Sequence, residues 1–313
     1  MNSAGKVVAL CGGVGGAKLA WGLAQILPPE QLTVIVNSGD DFEHLGLHIS
    51  PDLDTVMYTL AGLANRELGW GLAGETWHCM AALQQLGGET WFRLGDRDLA
   101  THVYRSQALQ RGDTLTAVTR HLSRSLGVQH TVLPMCNEPL RTLVDTDAGT
   151  LAFQDYFVGR QCQPAVRAVR FAGAAEATLP AEVDAALTDP AVTHVIICPS
   201  NPLLSIAPIL AVPGLREQLQ ALRDKMVVAS PLVGGQAIKG PTAKMMQELA
   251  MPADSASIAD FYREFLGTLV IDECDAGEAD KLRAGGINVQ VCKTLMKTDE
   301  DKIALAQQLL NAT

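Results

Sequence analysis

Short apolar runs alternate with amphipathic stretches along most of the chain. Runs at residues 7–10, 33–36, 131–133, 166–171, 194–198, 226–229, 268–271 and 288–291 read as buried strands. Between many of them, residues 17–27, 52–65, 182–187, 214–224, 243–250 and 299–310 carry apolar side chains at helical spacing. Strands separated by helices need crossover connections, which predicts an α/β fold with a doubly wound, mostly parallel, Rossmann-like sheet. From about residue 53 to 126 the pattern is mostly helical, with one short apolar run at 91–94. This stretch reads as a helical insertion covering one end of the sheet, where the active site is expected. Residues 141–154 read as a β-hairpin around Asp145-Thr146-Asp147-Ala148-Gly149. No Gly-, Pro- or Ser-rich linker divides the chain, so residues 1–313 are expected to form a single α/β domain.

Composition narrows the function classes. A net charge of −10 argues against a nucleic-acid or anionic-membrane surface. It also means that a bound phosphate ester needs local positive charge from backbone dipoles, a few Arg and Lys, or a divalent cation. The seven cysteines are scattered with no Cys-x-x-Cys pair, which suits reduced thiols in a cytoplasmic protein rather than a zinc site or disulfide framework. No uninterrupted apolar stretch is long enough to span a bilayer, and residues 7–10 are too short for a signal-peptide core.

The most specific local pattern is Cys11-Gly12-Gly13-Val14-Gly15-Gly16-Ala17-Lys18, between the first strand and the first helix. Glycines let backbone N–H groups approach a phosphate, and the helix N-terminus adds partial positive charge. The spacing to Lys18 is not that of a Walker A loop, and Lys18 replaces the third small residue of a dinucleotide fingerprint.

Further clusters follow the other strands. Asn37-Ser38-Gly39-Asp40-Asp41 offers two acids to a ribose or a metal, or simply makes a polar turn. In Ser50-Pro51-Asp52-Leu53-Asp54-Thr55, Ser50 suits an N-cap, Pro51 the first helical position, and Asp52 the positive end of the helix dipole. Asp54 is on a different helix face from Asp52, and we expect it to face the ligand. Arg93-Leu94-Gly95-Asp96-Arg97-Asp98 concentrates charge at a sheet edge. Asp96 could cap a helix there, while Arg93 and Arg97 are natural phosphate partners or members of a surface ion-pair network. Pro199-Ser200-Asn201-Pro202 is a rigid loop with groups suited to a base or ribose, and the glycines and Lys239 of 230–241 could close over the same site. All four tryptophans precede residue 92, where they pack the insertion or wall a ligand. The seven histidines show no metal-ligand spacing, and no nucleophile elbow is present.

In this order and spacing the motifs resemble the 2-phospho-L-lactate transferase (CofD) family of coenzyme F-420 biosynthesis. The resemblance spans nearly the whole chain. It rests on Gly12-Gly13-Val14-Gly15-Gly16-Ala17-Lys18-Leu19, Val36-Asn37-Ser38-Gly39-Asp40-Asp41 and Gly46-Leu47-His48-Ile49-Ser50-Pro51-Asp52-Leu53-Asp54-Thr55-Val56. It continues through Leu94-Gly95-Asp96-Arg97-Asp98-Leu99-Ala100-Thr101-His102, Leu133-Pro134-Met135, Pro199-Ser200-Asn201-Pro202 and Gly240-Pro241.

The resemblance implies transfer of a phospho-three-carbon-acid unit from its GDP-linked donor to the ribityl hydroxyl of the deazaflavin Fo. GMP is released, and Mg²⁺ is the expected metal. It implies Asp54 and Arg93 as deazaflavin contacts, with Asp54 a candidate to orient or deprotonate the hydroxyl. Gly12, Gly13, Gly15, Gly16 and Lys18 would hold the guanosine diphosphate, with Ser200 and Asn201 near the nucleoside. Asp40 or Asp41 is the metal candidate, and Asp52, Asp96 and Arg97 are further site candidates. A homodimer is implied by the resemblance alone. The chain departs from the family's usual residues at Val14, at Cys136-Asn137-Glu138 and at Cys198, all near the presumed donor side. These leave open whether the acid is phospholactate, phosphoenolpyruvate or phosphoglycerate. YvcK-like nucleotide-sugar-binding regulators share the glycine loop and fold and form the alternative reading. The motifs at 50–55 and 94–102 favour the transferase. An NAD-dependent oxidoreductase is disfavoured by the imperfect fingerprint.

Overall fold

The computed structural model describes residues 5–237 and 241–312. Seven strands form one parallel sheet: β1 (Lys6–Cys11), β2 (Leu32–Val36), β3 (Thr131–Pro134), β4 (Val192–Ile197), β5 (Met226–Ala229), β6 (Thr268–Asp272) and β7 (Asn288–Cys292). Their spatial order is β7-β6-β5-β4-β1-β2-β3, every pairing parallel. The winding reverses beside β1, so the crevice between the loops after β1 and β4 is the topological switch point, where open α/β sheets bind ligands.

Both faces of the sheet are covered, which is why its strands read as near-continuous apolar runs. Val7, Ala9 and Cys11 of β1 point into one core with Val34, Val36, Ile196 and Val270. Val8 and Leu10 point into the other with Ile35, Val195, Ile197, Val228 and Leu269. On the first face lie α1 (Gly13–Ile26), α2 (Pro51–Leu60) and the C-terminal helix Asp299–Leu310, contributing Leu19, Leu23, Val56, Met57, Leu305 and Leu309. The C-terminal helix starts as its sequence dictates: Thr298 and Asp301 exchange side-chain-to-backbone hydrogen bonds in a capping box.

The segment between β2 and β3 is mostly helical, with α3 (His78–Gln85), α4 (Asp96–Gln110) and α5 (Leu115–Ser125) following α2. It also contains a short hairpin, Phe42–His44 with Leu47–Ile49, that the sequence pattern did not announce. The apolar run at 91–94 forms no strand. Residues 141–152 form the expected hairpin. The run at 166–171 corrects one expectation: Val166–Ala172 pairs antiparallel with Arg141–Thr146 in a separate three-stranded sheet. Arg167 and Arg170 interrupt the apolar residues of that run, and only the short helical turn Asp155–Gly159 precedes it, too little to carry a crossover. Among the described residues no helix is long and apolar enough to cross a membrane.

Candidate active site

A cavity of about 600 Å³ opens above the carboxyl ends of the strands. Gly12–Gly15 and Lys18 line it from the β1–α1 turn, Pro199, Ser200, Asn201, Leu204 and Ser205 from the loop after β4, and Asp40 from the loop after β2. Asp52, Asp54 and Tyr58 enter from α2, Asp98 and His102 from α4, and Arg93 from the segment before α4. The glycine turn and the Asp54/Arg93 pair therefore share one chamber.

The β1–α1 turn excludes a side chain at Gly12, Gly13, Gly15 and Gly16. Gly13 has φ +63°, the left-handed region that glycine tolerates. A Cβ on Gly12 would collide with the Asp52 carboxylate and stand 2.8 Å from the Ser205 Cβ. Ser200 ties this turn to the loop after β4: its hydroxyl accepts the Gly12 N–H at 3.2 Å and donates to the Gly12 carbonyl at 2.8 Å. Its hydroxyl is thus committed to holding the switch-point crevice together. Asn201 also lines the cavity, and its side-chain oxygen accepts the N–H groups of Leu203 and Leu204. Lys18 reaches across to the carbonyl of Met296 at 3.1 Å.

The first turn of α2 sends one acid to each side. Asp52 turns to the glycine loop, accepting Asn37 Nδ2 at 2.9 Å and the Gly13 N–H. Burial pushes its carboxyl up to about 6. Burial, followed by the nearby Asp52 charge, also raises Asp40, whose Oδ1 is buried without a hydrogen-bond partner. Asp54 turns instead to α4, where the Arg105 guanidinium grips both its oxygens. Burial raises Asp54, with Arg105 and His102 opposing that shift.

Arg105 Nη1 also donates to His102 Nδ1 at 3.2 Å. A guanidinium only donates, so Nδ1 is the acceptor in this contact, while Nε2 faces Asp98 Oδ2 at 3.4 Å. Tyr58 donates to Asp98 Oδ1 at 2.6 Å. Burial works to raise Asp98, but the hydrogen bonds from His102 and Tyr58 hold it below the usual carboxylate range. Asp54, Asp98 and His102 bring ligand atoms within 4.8 Å of one another, with the Arg105 guanidinium already among them.

The opposite wall is aromatic. Trp70, Trp91, Phe92, Phe153 and Phe157 line the cavity, with Trp91 and Phe92 edge to face at 5.7 Å. Arg93 lies over the Trp77 ring at 4.2 Å, a cation–π contact that fixes the guanidinium at the cavity edge. Trp21 lies elsewhere, under Lys302.

Four sequence candidates stand outside the cavity lining, each with a structural task. Gly16 packs below the turn, where a Cβ would come within 2.6 Å of the Cys11 Cβ and the Ser200 hydroxyl. Asp41 accepts the Ser50 hydroxyl at 2.7 Å and pairs with His48 at 3.0 Å; Ser50 stands at the N-cap of α2 but gives its hydroxyl to that acid. Asp96 accepts the N–H groups of His78 and Cys79 at the start of α3, and Arg97 donates to the Ala73 carbonyl. Lys239 and Gly240 lie outside the described residues; Gly234 and Gly235 donate to Asp275, while Pro231 and Pro241 line the cavity. Arg105, His102, Asp98 and Tyr58 were not singled out as site residues from the sequence. The available signal was Asp98, His102 and Arg105 at helical spacing, three polar residues on the inward face of α4.

Residues 7–304 match the family model described as 2-phospho-L-lactate transferase CofD. The chain belongs to the 2-phospho-L-lactate transferase family. A protein named 2-phospho-L-lactate transferase from Methanosarcina acetivorans is 38% identical over 96% of this chain and 97% of its own. One named phosphoenolpyruvate transferase from Streptomyces coelicolor is 38% identical over 96% and 95%. A crystal structure of a UPF0052-family protein from Bacillus halodurans superposes with a TM-score of 0.65, covering 99% of this chain and all of that one. At 14% identity this likeness shows the shared Rossmann-like fold. Within the family, this chain is a phosphotransferase whose glycine turn, acid pair and aromatic wall meet in one cavity.

Proposed function

We propose that the protein transfers a phospho-three-carbon-acid unit from a GDP-linked donor to the ribityl hydroxyl of Fo, releasing GMP, in coenzyme F-420 biosynthesis. The observation that carries this reading is the single cavity joining Gly12–Gly15 to Asp54 and Arg93. It gives a diphosphate and an alcohol one place to meet. Family membership and relatives named for phospholactate and phosphoenolpyruvate transfer support it.

The N-terminus of α1 and Lys18 would hold the diphosphate charge. The aromatic wall and Arg93 would hold the planar deazaflavin ring. Asp54 would orient the ribityl hydroxyl and accept its proton as the oxygen bonds to the acid's phosphorus and the bond to the GMP oxygen breaks. Catalysis of this kind is positioning and charge neutralisation.

The donor side also fits a divalent cation. Asp40 and Asp52 are buried acids, the Asp52 charge raises the proton affinity of Asp40, neither has an ion-pair partner among the described residues, and Asp40 Oδ1 is orphaned. These two carboxylates would hold Mg²⁺, which prefers such oxygen ligands and would offset the diphosphate charge. Action in the cytoplasm as a homodimer completes the proposal.

The test incubates the protein with Fo, Mg²⁺ and, separately, the guanylylated form of phospholactate, phosphoenolpyruvate or phosphoglycerate. GMP release matched by a phosphodiester-linked deazaflavin with at least one donor is expected. Absence of product with all three contradicts the proposal.

A further inference from the structure

Asp54 is not an independent carboxylate. Both its oxygens are held by Arg105, which is only 1% exposed and lies behind the cavity lining. The same guanidinium donates to His102 Nδ1 at 3.2 Å and to the His48 carbonyl at 3.4 Å. Asp54, Asp98 and His102 face the cavity in front of it. Arg105 is thus a guanidinium set among two carboxylates and an imidazole, and it touches one of those carboxylates through both of its oxygens.

We infer that Arg105 is a positioning residue for transfer: its guanidinium is the permanent counter-cation of the Asp54–Asp98–His102 cluster and sets Asp54 for the acceptor hydroxyl. The catalytic half of this inference rests on the transferase reading above; the counter-cation half rests on geometry alone. A planar fork matches a carboxylate in a way that a lysine ammonium does not, which explains an arginine buried at this position.

Two arms test the inference. In the first, Arg105→Met and Arg105→Lys are compared with wild type by thermal melting, GDP binding and steady-state kinetics. Misplacing a reacting group by about 1 Å costs about 100-fold, so Arg105→Met should lose about that in kcat with donor KM within about threefold of wild type. Arg105→Lys, which restores the charge without the fork, should recover part of the loss. In the second arm, Arg105→Ala is titrated with Co²⁺ alone by calorimetry. Removing the guanidinium leaves two carboxylates and an imidazole as a chelating set, so the variant should bind more Co²⁺ than wild type, and adding His102→Gln should abolish the excess.

A folded Arg105→Met enzyme with wild-type kcat overturns the inference. So does a joint collapse of kcat, GDP binding and folding in both the Met and Lys variants, which would mark a purely structural role, or the lack of extra Co²⁺ uptake in a folded Arg105→Ala protein. If wild type itself forms no product with any donor, the transferase reading falls, and the cobalt arm alone decides whether Arg105 is the cluster's counter-cation.

Discussion

The Ser200 hydroxyl closes on Gly12 from both sides, accepting its N–H at 3.2 Å and donating to its carbonyl oxygen at 2.8 Å. These two buried bonds join the loops that follow β1 and β4, so they set the width of the crevice. Ser200→Ala leaves both backbone groups unpaired, each at a cost of about 1–3 kcal/mol. We expect a lower melting temperature and a donor KM raised about tenfold or more, the equivalent of about 1.4 kcal/mol, with a smaller change in acceptor KM. Calorimetric binding of GDP to the variant checks this.

Asp54→Asn keeps the shape of the side chain but removes the charge that Arg105 grips and the proton acceptor that faces the cavity. General-base contributions are about 10²–10⁴-fold, and a loss in that range is expected in kcat. Circular dichroism should show native secondary structure. Rapid quench with the folded variant separates the chemical step from binding, and unchanged kinetics would remove Asp54 from the site.

Asp52 gives stability a pH dependence. Its carboxyl is raised by burial from 3.8 to about 6, so the folded state binds a proton more tightly than the unfolded one. That contribution is present below about pH 4 and is lost as pH rises toward about 6. Asp52→Asn retains an acceptor for Asn37 and Gly13 without a buried charge. In metal-free buffer the variant should therefore exceed wild type in stability by about 1–3 kcal/mol at pH 7.5, and the gap should close below pH 4. Urea denaturation across that range measures it.

Gly16 tests packing without touching the lining. A methyl there would meet Cys11 and Ser200 at 2.6 Å, so Gly16→Ala must shift the Ser200 hydroxyl off Gly12. Overpacking of this kind costs about 1–3 kcal/mol. Weaker GDP binding should accompany the loss of stability, measured by melting with and without GDP.

Much of this architecture was legible because a parallel sheet covered on both faces writes itself as apolar runs, as Val7–Cys11 and Val34–Val36 do. The antiparallel pieces were harder to see. Val166–Ala172 has the valines, alanines and phenylalanine of a sheet strand, and its two exposed arginines betray its place at the periphery. Within the site, Asp54 followed from its helix position and Arg93 from its charge, with only their deazaflavin role supplied by the resemblance, and Gly12–Gly15 followed from the local requirement for bare backbone. Arg105 was invisible because its partners lie 51 residues away on α2 and three residues back on α4. Local sequence describes such a residue as one more helical arginine. Asp96 misled for the opposite reason: its charge belongs to a motif, but its carboxylate is used up capping α3.

The most direct measurement is a crystal structure of the protein with GDP and Fo bound together. GDP should lie on the Gly12–Gly15 turn, with the deazaflavin ring against Trp91 and Arg93 and a ribityl hydroxyl within hydrogen-bond reach of Asp54. Fo bound away from Asp54, or the two ligands in separate cavities, would contradict the account.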